Sequence, residues 1–337
     1  GMAWSQAASV SGIQCQLGAD AGTVLAIARQ ADGKVILGGN FALLNGLARG
    51  CIARLNADGT PDTNWNPNAN GTVYALAIDG TNIYVGGDFT SIGGLGRARI
   101  ARLNAGNGAA DPAWNPGASN TVRALAVNAT AVYAGGDFTS IGGLNHSFIA
   151  KLNPATGATD PAWNPEASAA VNALALNGTS LYAGGDFTSI GGLTRNRIAM
   201  LDAASGVVDP VWNPNASHTV LTLITNGASL FVGGNFTNIG GQARYCLAKL
   251  TGAAGSADLA WNPTPNNSVR TLAVDGTMLY AGGWFTQIGG QTRNRLARLS
   301  CNSGALVDLL WDPNANGIVH ALAVSGANIY AGGEFQA

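Results

Sequence analysis

Seven double glycines, strand-like segments recurring in register with them, and no helical periodicity predict an all-β fold: a seven-bladed β-propeller with four-stranded blades, the last closed by strands from both termini. The glycine pairs begin at Gly38, Gly86, Gly135, Gly184, Gly233, Gly282 and Gly332, in steps of 48, 49, 49, 49, 49 and 50 residues. So regular a period means one supersecondary unit copied along the chain, and residues 1–337 read as a single domain.

Residues 72–115 show the unit. Thr72 to Ile78 is apolar and partly β-branched and gives the innermost strand, followed by Asp79-Gly80. Asn82 to Val85 is a second apolar run ending at Gly86-Gly87, and Asp-Gly between two such runs signals a hairpin. Ile100 to Asn104 alternates as a third strand, and Asp111-Pro-Ala-Trp-Asn-Pro116 closes the unit as a short fourth. The same reading places inner strands near 23–28, 72–78, 121–127, 170–176, 219–225, 268–274 and 318–324. The final unit stops after its second strand, and its missing half is expected at 2–17. There Met2 to Gln6 aligns with Ile100 to Asn104, and Gly12 to Gln16 with Ala110 to Trp114. A linear stack would need atypical capping repeats, whereas a ring removes exposed sheet edges. Gln16 replaces the tryptophan found at Trp65, Trp114, Trp163, Trp212, Trp261 and Trp311, so the closing blade is expected to be the least well packed.

The six repeated tryptophans are expected to pack within or between blades, each removing ~150–250 Å² from water, with a platform for sugars as the other reading. The glycine pairs are expected to end the second strand through positive φ and close backbone approach. They are not a phosphate cradle, because no helix follows. Asp88, Asp137 and Asp186 follow the glycines; Arg49, Arg97, Arg195, Arg244 and Arg293 precede the third strand, with His146 in the sixth place; and Asp62, Asp111, Asp160, Asp209, Asp258 and Asp308 each lie three residues before a tryptophan. Charges locked to the repeat predict ion pairs or turn caps recurring in every blade.

A net charge of −1 and 10% charged residues exclude a nucleic-acid surface. No apolar run approaches the ~18 residues of a membrane span, so no membrane insertion is expected. His146, His218 and His320 occupy different repeat positions and show no metal-ligand spacing. No Ser/His/Asp or Cys/His set can be assembled, so neither a catalytic residue nor a cofactor is assigned. Of Cys15, Cys51, Cys246 and Cys301, the middle two share a repeat position too far apart to bond; Cys15 and Cys301 would lie in neighbouring loops where they could meet. The chain is expected to be a monomer.

The spelling Gly-Gly-Asp-Phe-Thr-x-Ile-Gly-Gly-x-x-Arg-x-Arg-Ile-Ala-Arg-Leu-Asn, followed by Asp-Pro-x-Trp-Asn-Pro, resembles the delta-60 repeat β-propellers of bacteria, as does the segment from Gln30 to Gly39. It is also similar to kelch repeats. The resemblance implies a secreted or envelope-associated bacterial protein; the opening Gly1-Met2 reads as an expression scar, with a signal peptide removed. It supplies no catalytic residue. The Cys–Tyr cofactor and copper ligands of galactose oxidase, a kelch-like propeller enzyme, have no counterpart here.

Variation inside a repeated frame marks positions that folding does not dictate. The second residue of the inner strand reads Leu25, Tyr74, Arg123, Asn172, Leu221, Arg270 and His320 beside near-uniform valines, and Trp284 replaces the usual acid after a glycine pair. Tyr74, Arg123, Asn172, Arg270, His320 and Trp284 are therefore the candidate binding residues, around a channel mouth. The expected function is a non-enzymatic module for a protein or glycan ligand. The alternatives are a hydrolase or lyase at that mouth, and a spacer domain of a larger surface protein.

Overall fold

The structure, a computed structural model, describes residues 22–302, 304–326 and 328–335, and every regular element among them is a strand or a turn. The chain divides into two compact units, Gly1–Pro161 with Ser325–Ala337, and Ala162–Val324. The segment 2–17 and the Cys15–Cys301 pairing lie outside the described residues.

Each repeat is an antiparallel meander of three strands. In the first unit these are Thr23–Arg29, Val35–Asn40 and Ile52–Leu55; Val73–Asp79, Asn82–Gly87 and Ile100–Asn104; and Val122–Asn128, Ala131–Gly136 and Ile149–Leu152. In the second unit they are Val171–Asn177, Ser180–Gly185 and Ile198–Asp202; Val220–Asn226, Ser229–Gly234 and Leu247–Thr251; and Val269–Asp275, Met278–Gly283 and Leu296–Ser300.

The fourth strand expected over Asp111 to Pro116 shrinks to one bridge just before the aspartate, Leu103 to Ala110, and likewise Leu152 to Thr159 and Leu201 to Val208. Among the described residues, only Ser256–Ala257 forms a two-residue strand there. The aspartate explains this: Asp111 Oδ1 accepts the Ala113 N–H at 2.8 Å and turns the chain out of the ladder, and the flanking prolines have no N–H to offer one. A small hairpin that the strand patterns did not announce joins the second and third strands. Ser91–Ile92 pairs with Leu95–Gly96 through Gly93 and Gly94, at φ 60° and 82°, where both turn residues need positive φ.

The glycines that end the second strand work differently from the expectation. None of them adopts positive φ, and close approach is what Gly38, Gly39, Gly86, Gly87, Gly184, Gly185, Gly233, Gly234, Gly282 and Gly283 share. A Cβ on Gly184 would lie 2.4 Å from Val220 Cγ1 of the following repeat, and one on Gly185 would lie 2.1 Å from the Ala170 carbonyl oxygen of its own repeat. The first glycine is thus where successive repeats touch. Asn328–Gly333 makes the same contact with the first repeat: a Cβ on Gly332 would lie 2.5 Å from Val24 Cγ1, matching 2.4 Å from Gly38 to Val73 Cγ1.

The six repeated tryptophans are all 4% exposed or less, which removes the sugar-platform reading for them. Trp114 meets Tyr84 edge-on at 5.4 Å and donates Nε1–H to the Asn153 carbonyl, 3.2 Å away in the next repeat. Trp163 and Trp261 donate in the same way to Ala203 at 3.1 Å and Ser300 at 2.9 Å. These three rings therefore each link one repeat to its successor.

The recurring charges are structural. Arg97, Arg195, Arg244 and Arg293 are buried and donate to the main-chain carbonyls of Asp111, Asp209, Asp258 and Asp308. The carboxylates pair with a third-strand cation: Arg54 with Asp62 at 2.9 Å, Lys249 with Asp258 at 3.0 Å, and Arg102 with Asp111. Burial pushes the Asp62, Asp258 and Asp308 carboxyls up, but hydrogen bonds from Lys34 and Arg54 to Asp62, from Lys249 to Asp258 and from Arg298 to Asp308 outweigh it and hold them below the usual carboxylate range. At Asp111 the Arg102 hydrogen bond is the largest influence, in the same direction. A lowered folded-state value means that the stabilisation is complete above the unfolded value near ~pH 4 and is lost as pH falls through the folded one. Urea midpoints are therefore expected to hold from about pH 7 to 5 and drop below about pH 4. The acid drop should be shallower in Asp62→Asn with Asp308→Asn; an identical acid profile in that variant would refute the assignment.

Candidate functional site

The variable inner-strand position has a structural cause. Pairing of the first and second strands skips one residue in each described repeat, between Val24 and Ala26, Val73 and Ala75, Val122 and Ala124, Val171 and Ala173, Val220 and Thr222, and Val269 and Thr271. Leu25, Tyr74, Arg123, Asn172, Leu221 and Arg270 are therefore the extra residues of β-bulges. A bulge leaves its residue outside the ladder and re-aims the side chain.

In the first unit the structure brings Tyr74 and Arg123 together, with the Arg123 guanidinium 5.8 Å from the Tyr74 ring centroid. Arg123 also grips Asp137: Nε lies 2.9 Å from each carboxylate oxygen and Nη2 2.7 Å from Oδ2. In the second unit Asn172 donates to Asp186 at 3.0 Å, and the other Asp186 oxygen accepts the Thr219 hydroxyl at 2.6 Å. Arg270 lies 5.6 Å from the centroid of the Trp284 ring, which is 47% exposed. His320 is half-buried in the inner strand Val319–Ser325. The bulge residue thus meets the residue just past the glycine pair. Of the three aspartates there, Asp137 and Asp186 serve these contacts rather than the third-strand cations.

A groove of about 580 Å³ in the second unit was not visible in the strand patterns. It lies between the loop carrying Asn235, Thr237, Tyr245 and Cys246 and the segment carrying Asn267 and Ser268 that leads into the next inner strand. Its origin is a missing arginine. In three other repeats the residue opening the third strand is Arg99, Arg197 or Arg295, at φ 65°, 64° and 62°. Their Nη1 atoms reach the carbonyls of Ala118, Ala216 and Ala315 at 3.0, 3.2 and 3.0 Å and fill the space between. Cys246 keeps the positive φ, 57°, but is too short to span it. Cys51 also lacks the arginine, but there Asn68 Oδ1 accepts the Gly50 N–H at 3.1 Å. Burial pushes the Cys246 thiol up to about 11, so it is a neutral wall group and not a thiolate nucleophile near pH 7. The signal in the sequence was a double departure from the repeat, Tyr245-Cys246 in place of Ala98-Arg99 or Asn196-Arg197.

Among the described residues no group of three or more His, Cys, Asp or Glu side chains could hold a metal ion, and no helix is long and apolar enough to cross a membrane.

Comparison with known proteins agrees with this architecture. The model of a domain of unknown function (DUF5122), described as a beta-propeller, matches residues 30–64, 82–113, 132–162, 180–210 and 275–302. No curated protein sequence matches. The WD40 beta propeller domain of Doa1 superposes with a TM-score of 0.66 at 11% identity, covering 96% of this chain and 94% of its own. The computationally designed protein Ika8 gives 0.61 at 14% identity, covering 96% and 97%. An extracellular domain from B. thetaiotaomicron gives 0.61 at 16% identity, covering 97% of this chain and 39% of its own. The chain is an all-β protein of β-propeller architecture.

Proposed function

We propose that the chain is a non-catalytic binding module: a secreted or cell-surface propeller of seven blades that takes a protein or glycan ligand on the face where the inner strands begin. The seven-blade count rests on the glycine period and on Gly332 meeting Val24 as Gly38 meets Val73. The short outer bridge of each meander serves as the fourth strand. The delta-60 spelling of the repeat and the extracellular B. thetaiotaomicron neighbour support placement outside the cell.

The observation that carries the binding reading is the Arg270–Trp284 pair. Trp284 stands where other repeats have an acid or amide, and it leaves nearly half of a large ring in water with a guanidinium beside it. Folding gains little from such a ring, whereas desolvated Trp and Arg side chains dominate binding surfaces. Screening the full chain against immobilised glycans and peptides is expected to yield a ligand whose affinity falls at least ~10-fold, or about 1.4 kcal/mol, in the Arg270→Ala/Trp284→Ala variant. A screen without a ligand, or a ligand bound equally by the double variant, overturns this reading.

A further inference from the structure

The groove beside Tyr245 has one chemical character. Asn235, Thr237, Asn267 and Ser268 bring carboxamides and hydroxyls to it, Tyr245 brings a ring that is 51% exposed, and none of its lining residues is charged. A phosphate, an acidic peptide or a cation placed there would lose water without gaining a counter-charge. A polyhydroxylated neutral ligand suits it better. Each sugar hydroxyl both donates and accepts, as carboxamides and hydroxyls do, and the apolar C–H face of a pyranose matches a flat phenol ring. The volume of about 580 Å³ lies within the usual range for small-ligand sites.

We propose that this groove binds a neutral saccharide of one or two rings, stacked on Tyr245 and held through its hydroxyls by the Asn235 carboxamide and by the Asn267 amide N–H, the Asn267 Oδ1 being taken by the Ser268 N–H at 2.7 Å. The proposal goes beyond the Arg270–Trp284 reading and stands independently of it. Two substitutions within one repeat are needed to build the site. Tyr245 supplies the platform where the other repeats have Gly50, Ala98, Ser147, Asn196 and Asn294. Cys246 opens the volume that Arg99, Arg197 and Arg295 occupy elsewhere. The repeat of Cys51 has the second change without the first, so it lacks an aromatic ring. Asn266 belongs to the scaffold rather than to the ligand, since its Oδ1 accepts the N–H groups of Thr286 at 2.9 Å and Gln287 at 3.1 Å.

The test is calorimetric titration of the full chain with neutral mono- to trisaccharides of gluco, galacto, manno and xylo configuration, with sialyllactose and an oligo-aspartate peptide as charged controls. At least one neutral sugar is expected to bind saturably. Tyr245→Ala should weaken it at least ~10-fold and Tyr245→Phe should leave it unchanged, because the stacking face remains. Cys246→Arg, which restores the side chain used by the other repeats, should abolish binding without lowering the melting temperature. No saturable binding of any neutral sugar, or binding that survives both Tyr245→Ala and Cys246→Arg, overturns the proposal. If a bound ligand survives both but is lost in Arg270→Ala/Trp284→Ala, the groove assignment falls while the binding reading stands.

Discussion

Replacing Trp114 by alanine is expected to destabilise the protein by about 3–5 kcal/mol, the usual cost of deleting a fully buried large aromatic. Three contacts are lost together. The ring is 0% exposed, it meets Tyr84 edge-on at 5.4 Å, and its Nε1–H satisfies the Asn153 carbonyl of the next repeat at 3.2 Å. The space left cannot collapse easily, because Gly157, beside the ring, sits at φ 74° on a tight turn that holds its backbone in place. Trp284→Ala is the control. That ring is 47% exposed, and its removal should change stability by no more than about 0.5 kcal/mol. Urea unfolding followed by far-ultraviolet circular dichroism measures both. A cost below about 1 kcal/mol for Trp114→Ala would mean that the ring does not join successive repeats.

Gly185→Ala is expected to cost about 3 kcal/mol or more, at the upper end for overpacking, although it adds one methyl group. The Cβ would lie 2.1 Å from the Ala170 carbonyl oxygen. That oxygen cannot retreat freely, since it accepts the Asp186 N–H at 2.9 Å. Gly178→Ala separates this clash from ordinary glycine strain: Gly178 has φ 59° with nothing within 4 Å of a new Cβ, so only the left-handed backbone is penalised, by ~1–2 kcal/mol. Thermal melts of the two variants should rank Gly185→Ala as clearly the less stable. The reverse order would show that the main chain there yields.

Much of this architecture was legible in the sequence because it is enforced by backbone contacts that admit few residues. Gly184 and Val220 touch in the structure, and neither side tolerates a different size, so both recur and expose the period. The strands between them alternate plainly. The outermost strand is shorter than the strand-like spacing of the Asp-Pro-x-Trp segment suggests, because the Asp111 side chain competes for the N–H groups a ladder would use. The candidate positions Tyr74, Arg123, Asn172, Arg270 and Trp284 stood out as departures from the frame, and the structure pairs most of them within a unit. The groove escaped notice for the opposite reason. It arises from what Cys246 lacks, and an absent side chain shows in a sequence only once the work of Arg99, Arg197 and Arg295 is known.

The β-bulges carry a consequence for how such a protein changes over time and how it can be engineered. Six positions, Leu25, Tyr74, Arg123, Asn172, Leu221 and Arg270, contribute nothing to strand pairing and are not fully buried. Each behaves as an interchangeable socket in an otherwise invariant frame. Randomising the six together would create a combinatorial library on a fixed scaffold, in which the side chains of the bulges change while the glycines, valines and buried tryptophans stay untouched.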